Sequence, residues 1–388
     1  MIKLVSSTFV NERETKQALC EFIMNSDKLS MGEQCALFEK NFANWQQSRF
    51  SILVNSGSSA NLLLVQAMLN SGRWKPGDRI GVSAVTWSTN VMPLIQLGLV
   101  PVLIDVDLHS LNINRSSLAR AHEKHKLTGL FVTNCLGLCP DLPQIHEYCT
   151  ENAINLIEDN CESMGSVVSG KKSGNFGLGS TFSLFVGHHM SAIEGGIVCT
   201  DDEDFFHHLC IARAHGWTRN LPEEKKKSLL VEHGIDDFYS PYFFVENGFN
   251  LRPTEIIGFL GNNQLPHLDM IISERQKNYF FAKKLFAARD DLLQLEDEGM
   301  ECVSSFAIPL LCRTPEIKAA MLEKCQMLQI ETRPMIAGSI ALQPFMSRHQ
   351  WEHAGLENAA FIHENYFYIG NHESFADDEY TALQDLLA

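Results

Sequence analysis

Residues 50–69 read FSILVNSGSSANLLLVQAML and contain the transition that decides the fold. The first five residues are mostly apolar and β-prone, which predicts a strand, and the leucine-rich run over residues 59–69 predicts a helix. Between them lies a polar turn that contains Gly57 and Ser58. Free backbone N–H groups at the start of a helix favour an anion such as a phosphate. The turn would equally serve as an ordinary serine helix cap.

The same alternation of β-prone runs and helical stretches continues to about residue 200. The pattern predicts strands at residues 50–54, 79–82, 101–106, 130–133, 154–158, 181–186 and 197–200. Helices are expected at residues 59–69, 88–96 and 141–150. This order is typical of an α/β domain with a mainly parallel seven-stranded sheet flanked by helices, whose ligands bind at the carboxyl ends of the strands.

The sequence beyond residue 200 predicts a second, smaller unit. Helical patterns cover residues 204–214 and 254–264, and a long amphipathic helix is expected over residues 268–288. A strand at residues 305–311 and a helix at residues 315–327 follow. We therefore expect a large domain over residues 1–264, which includes an N-terminal arm, and a smaller C-terminal α+β domain over residues 265–388.

Composition excludes several classes of protein. The apolar runs in the 388 residues are far shorter than the roughly 20 residues of a membrane span. The N-terminus has no signal-peptide pattern, so a cytoplasmic location is expected. The 11 irregularly spaced cysteines are typical of reduced thiols, with no metal site and no iron–sulfur cluster. A formal net charge of -16 disfavours nucleic acid as a partner.

Two candidate ligand contacts follow predicted strands. In NLIEDNCE, residues 155–162, an apolar run ends in Asp159. A carboxylate there could pair with a protonated heteroaromatic nitrogen and so make a pyridine ring an electron sink, or it could belong to an ordinary acidic turn. Trp87 follows another strand and could stack on a flat ring, although filling the core is the commoner role of tryptophan.

A pair of histidines forms the next candidate. Residues 182–196 read FSLFVGHHMSAIEGG, and they place His188 and His189 before a turn that begins with Glu194. The histidines could be general bases, metal ligands or surface residues. Metal binding is the least favoured of the three, because adjacent side chains diverge and no further ligand pattern accompanies them.

Taken in order, these segments resemble the DegT/DnrJ/EryC/StrS sugar aminotransferase family, which has the aspartate aminotransferase fold (pyridoxal phosphate fold type I). The resemblance covers nearly the whole chain. The matching segments are residues 29–32, 38–39, 55–61, 87, 101–107, 158–162, 182–196, 213–217 and 248–255.

The resemblance implies how pyridoxal or pyridoxamine phosphate would be held. The implied contacts are Gly57, Ser58 and Ser183 at the phosphate, Trp87 over the ring, Asp159 at the ring nitrogen and Glu162 near the ring hydroxyl. Asn250 would reach the phosphate bound by the neighbouring subunit. The family pattern therefore implies a homodimer with shared active sites.

One departure from the family pattern carries the predicted function. The family lysine lies six residues before the glutamate of the Glu-Gly-Gly turn, and here that position, counted from Glu194, is His188. An imidazole cannot form the covalent link that the lysine amine forms, so the cofactor is expected to bind noncovalently. Histidine can still move protons near neutral pH. His188 is therefore the predicted catalytic base, and His189 is expected to orient it.

The same exchange is found in the sugar 3-dehydratases of the family. This resemblance implies a lyase that removes the 3-hydroxyl of a GDP-linked 4-keto-6-deoxymannose, as in the colitose branch of O-antigen and lipopolysaccharide synthesis. L-Glutamate would supply the amine, and 2-oxoglutarate and ammonia would be released. The alternatives are a nucleotide-sugar 4-aminotransferase, a CDP-4-keto-6-deoxyglucose 3-dehydrase, or a regulator that binds the cofactor without catalysis.

Cationic and aromatic residues provide candidate substrate contacts. Arg213, His215, Trp217 and Arg219 are suited to a diphosphate and a sugar, although they could equally form a solvated helix end. Arg333 lies in a segment that resembles the part of the family that faces the active site. Its guanidinium could bind the substrate or the glutamate carboxylate.

Overall fold

The computed structural model describes residues 1–336 and 338–387. Its strands are β1 (Phe50–Val54), β2 (Arg79–Ser83), β3 (Val100–Ile104), β4 (Gly129–Thr133), β5 (Asn155–Asp159), β6 (Val167–Val168), β7 (Lys171–Lys172), β8 (Ser180–Ser183), β9 (Gly196–Thr200), β10 (Met300–Cys302), β11 (Ala307–Leu311), β12 (Thr332–Pro334), β13 (Glu352–His353) and β14 (Tyr366–Gly370).

Helices surround these strands. They are α1 (Glu12–Asn25), α2 (Glu33–Gln46), α3 (Gly57–Asn70), α4 (Ser88–Gln96), α5 (Arg115–His125), α6 (Leu142–Glu151), α7 (Glu203–Arg213), α8 (Glu223–Glu232), α9 (Glu255–Gln264), α10 (Leu268–Phe286), α11 (Pro315–Met327), α12 (Glu357–Asn365) and α13 (Asp377–Leu387). None of the helices within residues 1–336 and 338–387 is both long and apolar enough to cross a membrane.

The main sheet has the order β1-β9-β8-β5-β4-β2-β3-β13. Strand β9 runs antiparallel to both β1 and β8, and the other neighbouring pairs are parallel. Strands in its centre, such as β4, are buried along their whole length because helices cover both faces. The predicted α/β fold with a mainly parallel sheet is confirmed, and all the predicted strands up to residue 200 belong to it.

Two details of the predicted sheet are wrong. Strand β8 was expected to reach residue 186 but ends at Ser183, where the chain turns toward the paired histidines. The sheet also gains an eighth strand, β13, which pairs with the edge strand β3. A strand of two residues has no periodic pattern in the sequence, so β13 is recognisable only from its pairing with β3. An ion pair between Arg79 on β2 and Glu352 on β13 accompanies this pairing.

A second, antiparallel sheet has the order β11-β14-β12 and is built from residues after 300. Helices α10 and α13 pack against each other, and α10 also contacts β11. The first residues of the chain reach this unit, since Ile2 accepts a hydrogen bond from the backbone N–H of Glu331 at 2.9 Å. The predicted boundary after residue 264 lies between α9 and α10 and stays a prediction.

Candidate active site

A cavity of about 490 Å³ opens at the carboxyl ends of the main-sheet strands. One wall comes from the strand ends and from the starts of α3 and α4, and the other comes from the second sheet. Its lining residues are Ser56, Gly57, Ser58, Asn61, Trp87, Thr89, Asn90, Thr133, Asp159, Cys161, Glu162, Ser183, Phe185, Gly187, His188, Glu194, Phe306, Arg333, Pro334, Ile336 and Tyr368.

The start of α3 forms a cradle for an anion at one end of the cavity. Ser56 caps the helix: its hydroxyl accepts the backbone N–H of Ser59 at 3.1 Å. The backbone N–H groups of Gly57 and Ser58, in the first turn, have no acceptors within the helix. A Cβ on Gly57 would lie 2.9 Å from the Cβ of Ser183. Only glycine therefore lets the helix start approach the Ser183 hydroxyl so closely. Ser58 is exposed beside them.

Asp159, at the end of β5, is buried and accepts three hydrogen bonds. Its Oδ2 accepts the side-chain amides of Asn61 at 3.0 Å and Asn90 at 2.7 Å, and its Oδ1 accepts the backbone N–H of Cys161 at 2.9 Å. Hydrogen bonds from three directions hold a carboxylate in one orientation. The carboxylate borders the cavity in a fixed position.

A second layer of hydroxyls fixes the two asparagines. The carbonyl oxygen of Asn61 accepts the Thr181 hydroxyl at 2.6 Å, and the carbonyl oxygen of Asn90 accepts the Thr86 hydroxyl at 3.0 Å. With its oxygen occupied, each amide must present its N–H₂ group to the carboxylate. This orientation was not predicted from the sequence, although both asparagines lie near the start of helices that follow strand ends.

Glu162 borders the same end of the cavity. Its Oε2 accepts the backbone N–H of Leu136 at 3.0 Å. Burial raises the pKa of the Glu162 carboxyl to about 8, and the nearby charge of Asp159 adds to the shift. At neutral pH this side chain is therefore mostly protonated and can donate a hydrogen bond to an oxygen in the cavity.

His188 presents one ring nitrogen to the cavity. Its Nδ1 lies 2.7 Å from the carbonyl oxygen of Cys161, which can only accept, so Nδ1 carries the hydrogen. Nε2 is then an unprotonated base. The Phe306 ring packs against the imidazole with centroids 5.0 Å apart. Burial lowers the pKa of His188 to about 4, which keeps the ring neutral.

His189 has a different environment. It is buried, and its Nε2 donates to the carbonyl oxygen of Ser304 at 3.0 Å. Its ring lies 6.5 Å from that of Phe306, between centroids. It does not line the cavity. His189 thus contacts the segment that carries Phe306, and of the two histidines His188 is the one placed for chemistry.

Trp87 and Arg333 lie at the rim. Trp87 immediately precedes α4 and is 55% exposed, so one face of the indole is open to a flat ligand. Arg333 on β12 pairs in register with Tyr368 on β14, and both side chains line the cavity. The second sheet therefore contributes a cationic and an aromatic group, and Arg333 lies where the sequence places it.

Three predicted contacts, Asn250, His215 and Arg219, lie outside this chain's cavity. They belong to a group, here called the Trp217 cluster, that consists of the half-buried His215 and Trp217 and the exposed Arg219, Asn250 and Arg252. The guanidinium of Arg219 lies 5.2 Å from the centroid of the Trp217 ring, and the imidazole centroid of His215 lies 4.7 Å from it. Asn250 accepts a hydrogen bond from Arg252 at 3.0 Å.

The prediction that Arg213 contacts the substrate is wrong. Its side chain is buried, forms an ion pair with Glu39 and donates to the carbonyl oxygen of Leu53 at 3.0 Å. A guanidinium that is held in this way stabilises the junction of α7, α2 and β1, and it cannot reach a ligand. Within the described ranges, no three His, Cys, Asp or Glu side chains are grouped as metal ligands.

Residues 10–387 match the DegT/DnrJ/EryC1/StrS aminotransferase family. The chain is similar to GDP-4-keto-6-deoxy-D-mannose 3-dehydratase of Yersinia pseudotuberculosis, with 35% identity over 99% of this chain and 97% of the relative.

Two solved structures are similar over the whole of both chains. One is GDP-4-keto-6-deoxymannose-3-dehydratase with a trapped PLP-glutamate geminal diamine, with a TM-score of 0.90 and 32% identity. The other is a mutant of that dehydratase with bound GDP-perosamine, with a TM-score of 0.90 and 33% identity.

Proposed function

The chain belongs to the DegT/DnrJ/EryC1/StrS aminotransferase family, and we propose that it removes the 3-hydroxyl of GDP-4-keto-6-deoxy-D-mannose. Glutamate supplies the amine, and the products are the 3-deoxy keto sugar, 2-oxoglutarate and ammonia. The observation that carries the proposal is that His188 lines the cavity with Nδ1 bonded to Cys161, which leaves Nε2 available as a base. The family pattern implies a lysine at this position.

The residues of the cavity fit pyridoxal or pyridoxamine phosphate. The cradle at Gly57, Ser58 and Ser183 suits the phosphate, and the glycine leaves space that a methyl group would fill. Asp159 is fixed where a ring nitrogen can meet it, and Trp87 offers a stacking face. When bound, the pyridine ring supplies an electron sink.

The polar residues then have distinct tasks. Asp159 would hold the ring nitrogen of the cofactor, because a carboxylate oxygen accepts a hydrogen bond from a protonated ring nitrogen. Glu162, which is mostly protonated at neutral pH, donates toward the ring hydroxyl. His188 Nε2 would take a proton from the methylene carbon of the cofactor and could pass it to the 3-hydroxyl of the sugar as that group leaves. One positioned imidazole can serve as base and then as acid. Without a primary amine here, the cofactor is held by noncovalent contacts alone.

We place the nucleotide at the open rim of the cavity. Arg333 is suited to a carboxylate or phosphate of a bound molecule. The Trp217 cluster combines two guanidiniums, an indole and an imidazole, the groups that bind diphosphates and sugars. It lies outside its own cavity, so we assign it to the site of a second copy in a homodimer. The proposed setting is deoxysugar synthesis for O-antigen, such as the colitose pathway, in the cytoplasm.

The proposal is tested by incubating the protein with pyridoxal phosphate, glutamate and the GDP-linked keto sugar. We expect ammonia and 2-oxoglutarate in equal amounts, and a sugar product that mass spectrometry shows to have lost one oxygen atom. A 4-amino sugar without free ammonia would identify an aminotransferase instead. No consumption of glutamate would indicate a regulator, and turnover of only the CDP-linked sugar would reassign the nucleotide.

A further inference from the structure

Arg275, on α10, is a buried cation that lies behind the proposed base. Its side chain is only 4% exposed and does not line the main cavity. Its Nη1 donates to the carbonyl oxygen of Phe306 at 2.8 Å, and its Nη2 donates to the carbonyl oxygen of His188 at 3.2 Å. One guanidinium therefore joins the backbone of the base to the backbone of the aromatic residue that packs against it.

The surroundings hold Arg275 in this position. Asn371 donates to the carbonyl oxygens of Arg275 at 3.0 Å and Ser305 at 3.1 Å. Asn278, one helical turn after Arg275, donates to Asn371 at 3.0 Å. Helix α10, the segment before β11 and the segment after β14 thus form one hydrogen-bonded frame, and the guanidinium extends from that frame to the loop of His188.

The charge of Arg275 has no direct counter-ion. Among the residues that the structure describes, no carboxylate lies within 4.0 Å of its nitrogens, although Glu373 is close enough to favour its charge. Nε is buried without an acceptor. After burial, the positive charge of Arg275 is a further cause that lowers the pKa of His188 and of His189. The cation therefore acts on the imidazole through space.

Several other titratable or charged groups line the two cavities that His188 borders. They are Asp159, Cys161, Glu162, His189, Glu194, Arg275, Arg333, Tyr368, His372 and Glu373. A cofactor phosphate and a substrate diphosphate would bring further negative charge, which raises the pKa of an imidazole. Arg275 opposes that effect from outside the main cavity.

We infer that Arg275 is a positioning residue for the proposed dehydration: it fixes the backbone of His188 against Phe306, and its positive charge adds to burial in favouring the neutral imidazole. This inference rests on the proposed function for its catalytic meaning. The effect of the Arg275 charge on the His188 imidazole is a property of the protein without substrate, so it does not depend on which sugar is bound.

The test compares Arg275→Met, Arg275→Lys and a control, Arg289→Met. Arg289 follows the other end of α10, where it pairs with Asp291. In protein labelled in its histidine rings, NMR titration gives the pKa of His188, whose signal is assigned by its loss in His188→Asn. We expect Arg275→Met to raise this pKa by about one unit, because a nearby positive charge is lost. Arg275→Lys and Arg289→Met should leave it nearly unchanged.

Kinetics test the positioning part. Arg275→Met should lower kcat about 10- to 100-fold with little change in KM, because a displaced base misses its proton. The acid limb of its kcat profile should move to higher pH. Arg275→Lys should keep the limb but lose kcat about 10-fold, since one ammonium cannot hold two carbonyls in the same geometry. Arg289→Met should retain the wild-type kcat.

Each outcome decides a separate question. Unchanged His188 titration in Arg275→Met overturns the electrostatic part, and full kcat in Arg275→Lys overturns the positioning part. Circular dichroism shows whether Arg275→Met folds. If it does not, the kcat of Arg275→Lys decides the positioning part. A His188 pKa that changes in Arg275→Lys, although the positive charge is kept, then overturns the electrostatic part. If the wild type releases no ammonia, the proposed function fails, while the NMR titration still decides whether Arg275 controls the imidazole.

Discussion

The surroundings of Asp159 and the Trp217 cluster are both polar, but their hydrogen-bonding groups are satisfied in different ways. Asp159 is buried and accepts three hydrogen bonds from its own chain. In the cluster, Arg219 and Asn250 are exposed, and the buried Nε1 of Trp217 has no partner among the described residues. The buried Asp159 carboxylate is thus satisfied within the fold, whereas the exposed side chains of Arg219 and Asn250 are available to a ligand or to a second chain.

The contrast indicates that one chain forms the cofactor-binding part of the cavity by itself but does not bring the Trp217 cluster to that cavity. The cofactor end of the cavity has its carboxylate, its anion cradle and its base in place. The cationic and aromatic groups of the Trp217 cluster, which we propose bind a nucleotide sugar, lie outside this cavity. We therefore expect cofactor chemistry to depend on residues within a chain and substrate binding to depend on residues across a dimer.

The largest expected effect comes from His188→Asn. The variant should bind the cofactor normally but lose about a thousandfold or more in kcat for ammonia release, because the proton carrier is gone. His189→Asn is the matched control, since His189 bonds to the backbone of Ser304 and does not line the cavity. It should lower thermal stability and reduce kcat only a few fold. Loss of kcat in the control alone would move the base to His189.

Mixed dimers test the other half of the comparison. Arg219→Ala alone should lower kcat/KM about 10- to 100-fold, because a charged contact to a diphosphate is lost. A purified mixed dimer of one Arg219→Ala chain and one His188→Asn chain should recover about half of the wild-type activity, since one of its two sites is intact. If the Trp217 cluster served its own chain, both sites of the mixed dimer would be defective and no activity would return.

The last prediction concerns stability, not catalysis, and depends on the titration of Glu162. Because the folded pKa of about 8 exceeds the ordinary value of 4.5, the folded protein holds a proton that the unfolded chain releases. This contribution is complete below pH 4.5 and is lost as the pH rises through 8. Urea unfolding of the cofactor-free protein at pH 5 and pH 8.5 should show roughly 4 kcal/mol less loss of stability for Glu162→Gln than for the wild type, since each pH unit between the two pKa values costs about 1.4 kcal/mol. Equal losses would mean that Glu162 is charged in the fold.

Much of the fold was predictable because its signals are local. The strand that ends at Val54 and the glycine turn after it were read from residues adjacent in sequence, and α4 and α11 begin and end where the periodicity predicts. The two-residue strand β13 was not predictable, because it exists only through pairing with β3. Arg213 was misjudged for the same reason, as its partner Glu39 lies far away in sequence.

For the candidate site, the sequence by itself determined which residue types stand at the key positions: a histidine at 188, a carboxylate at 159 and a glycine at 57. Tertiary structure alone decided their chemistry. Asn61, which orients Asp159, lies 98 residues from it in sequence, and Arg275 lies 87 residues from His188. The pattern within a segment sets its local conformation, but hydrogen bonds and burial depend on which segments meet, and the meeting is decided by packing of the whole chain.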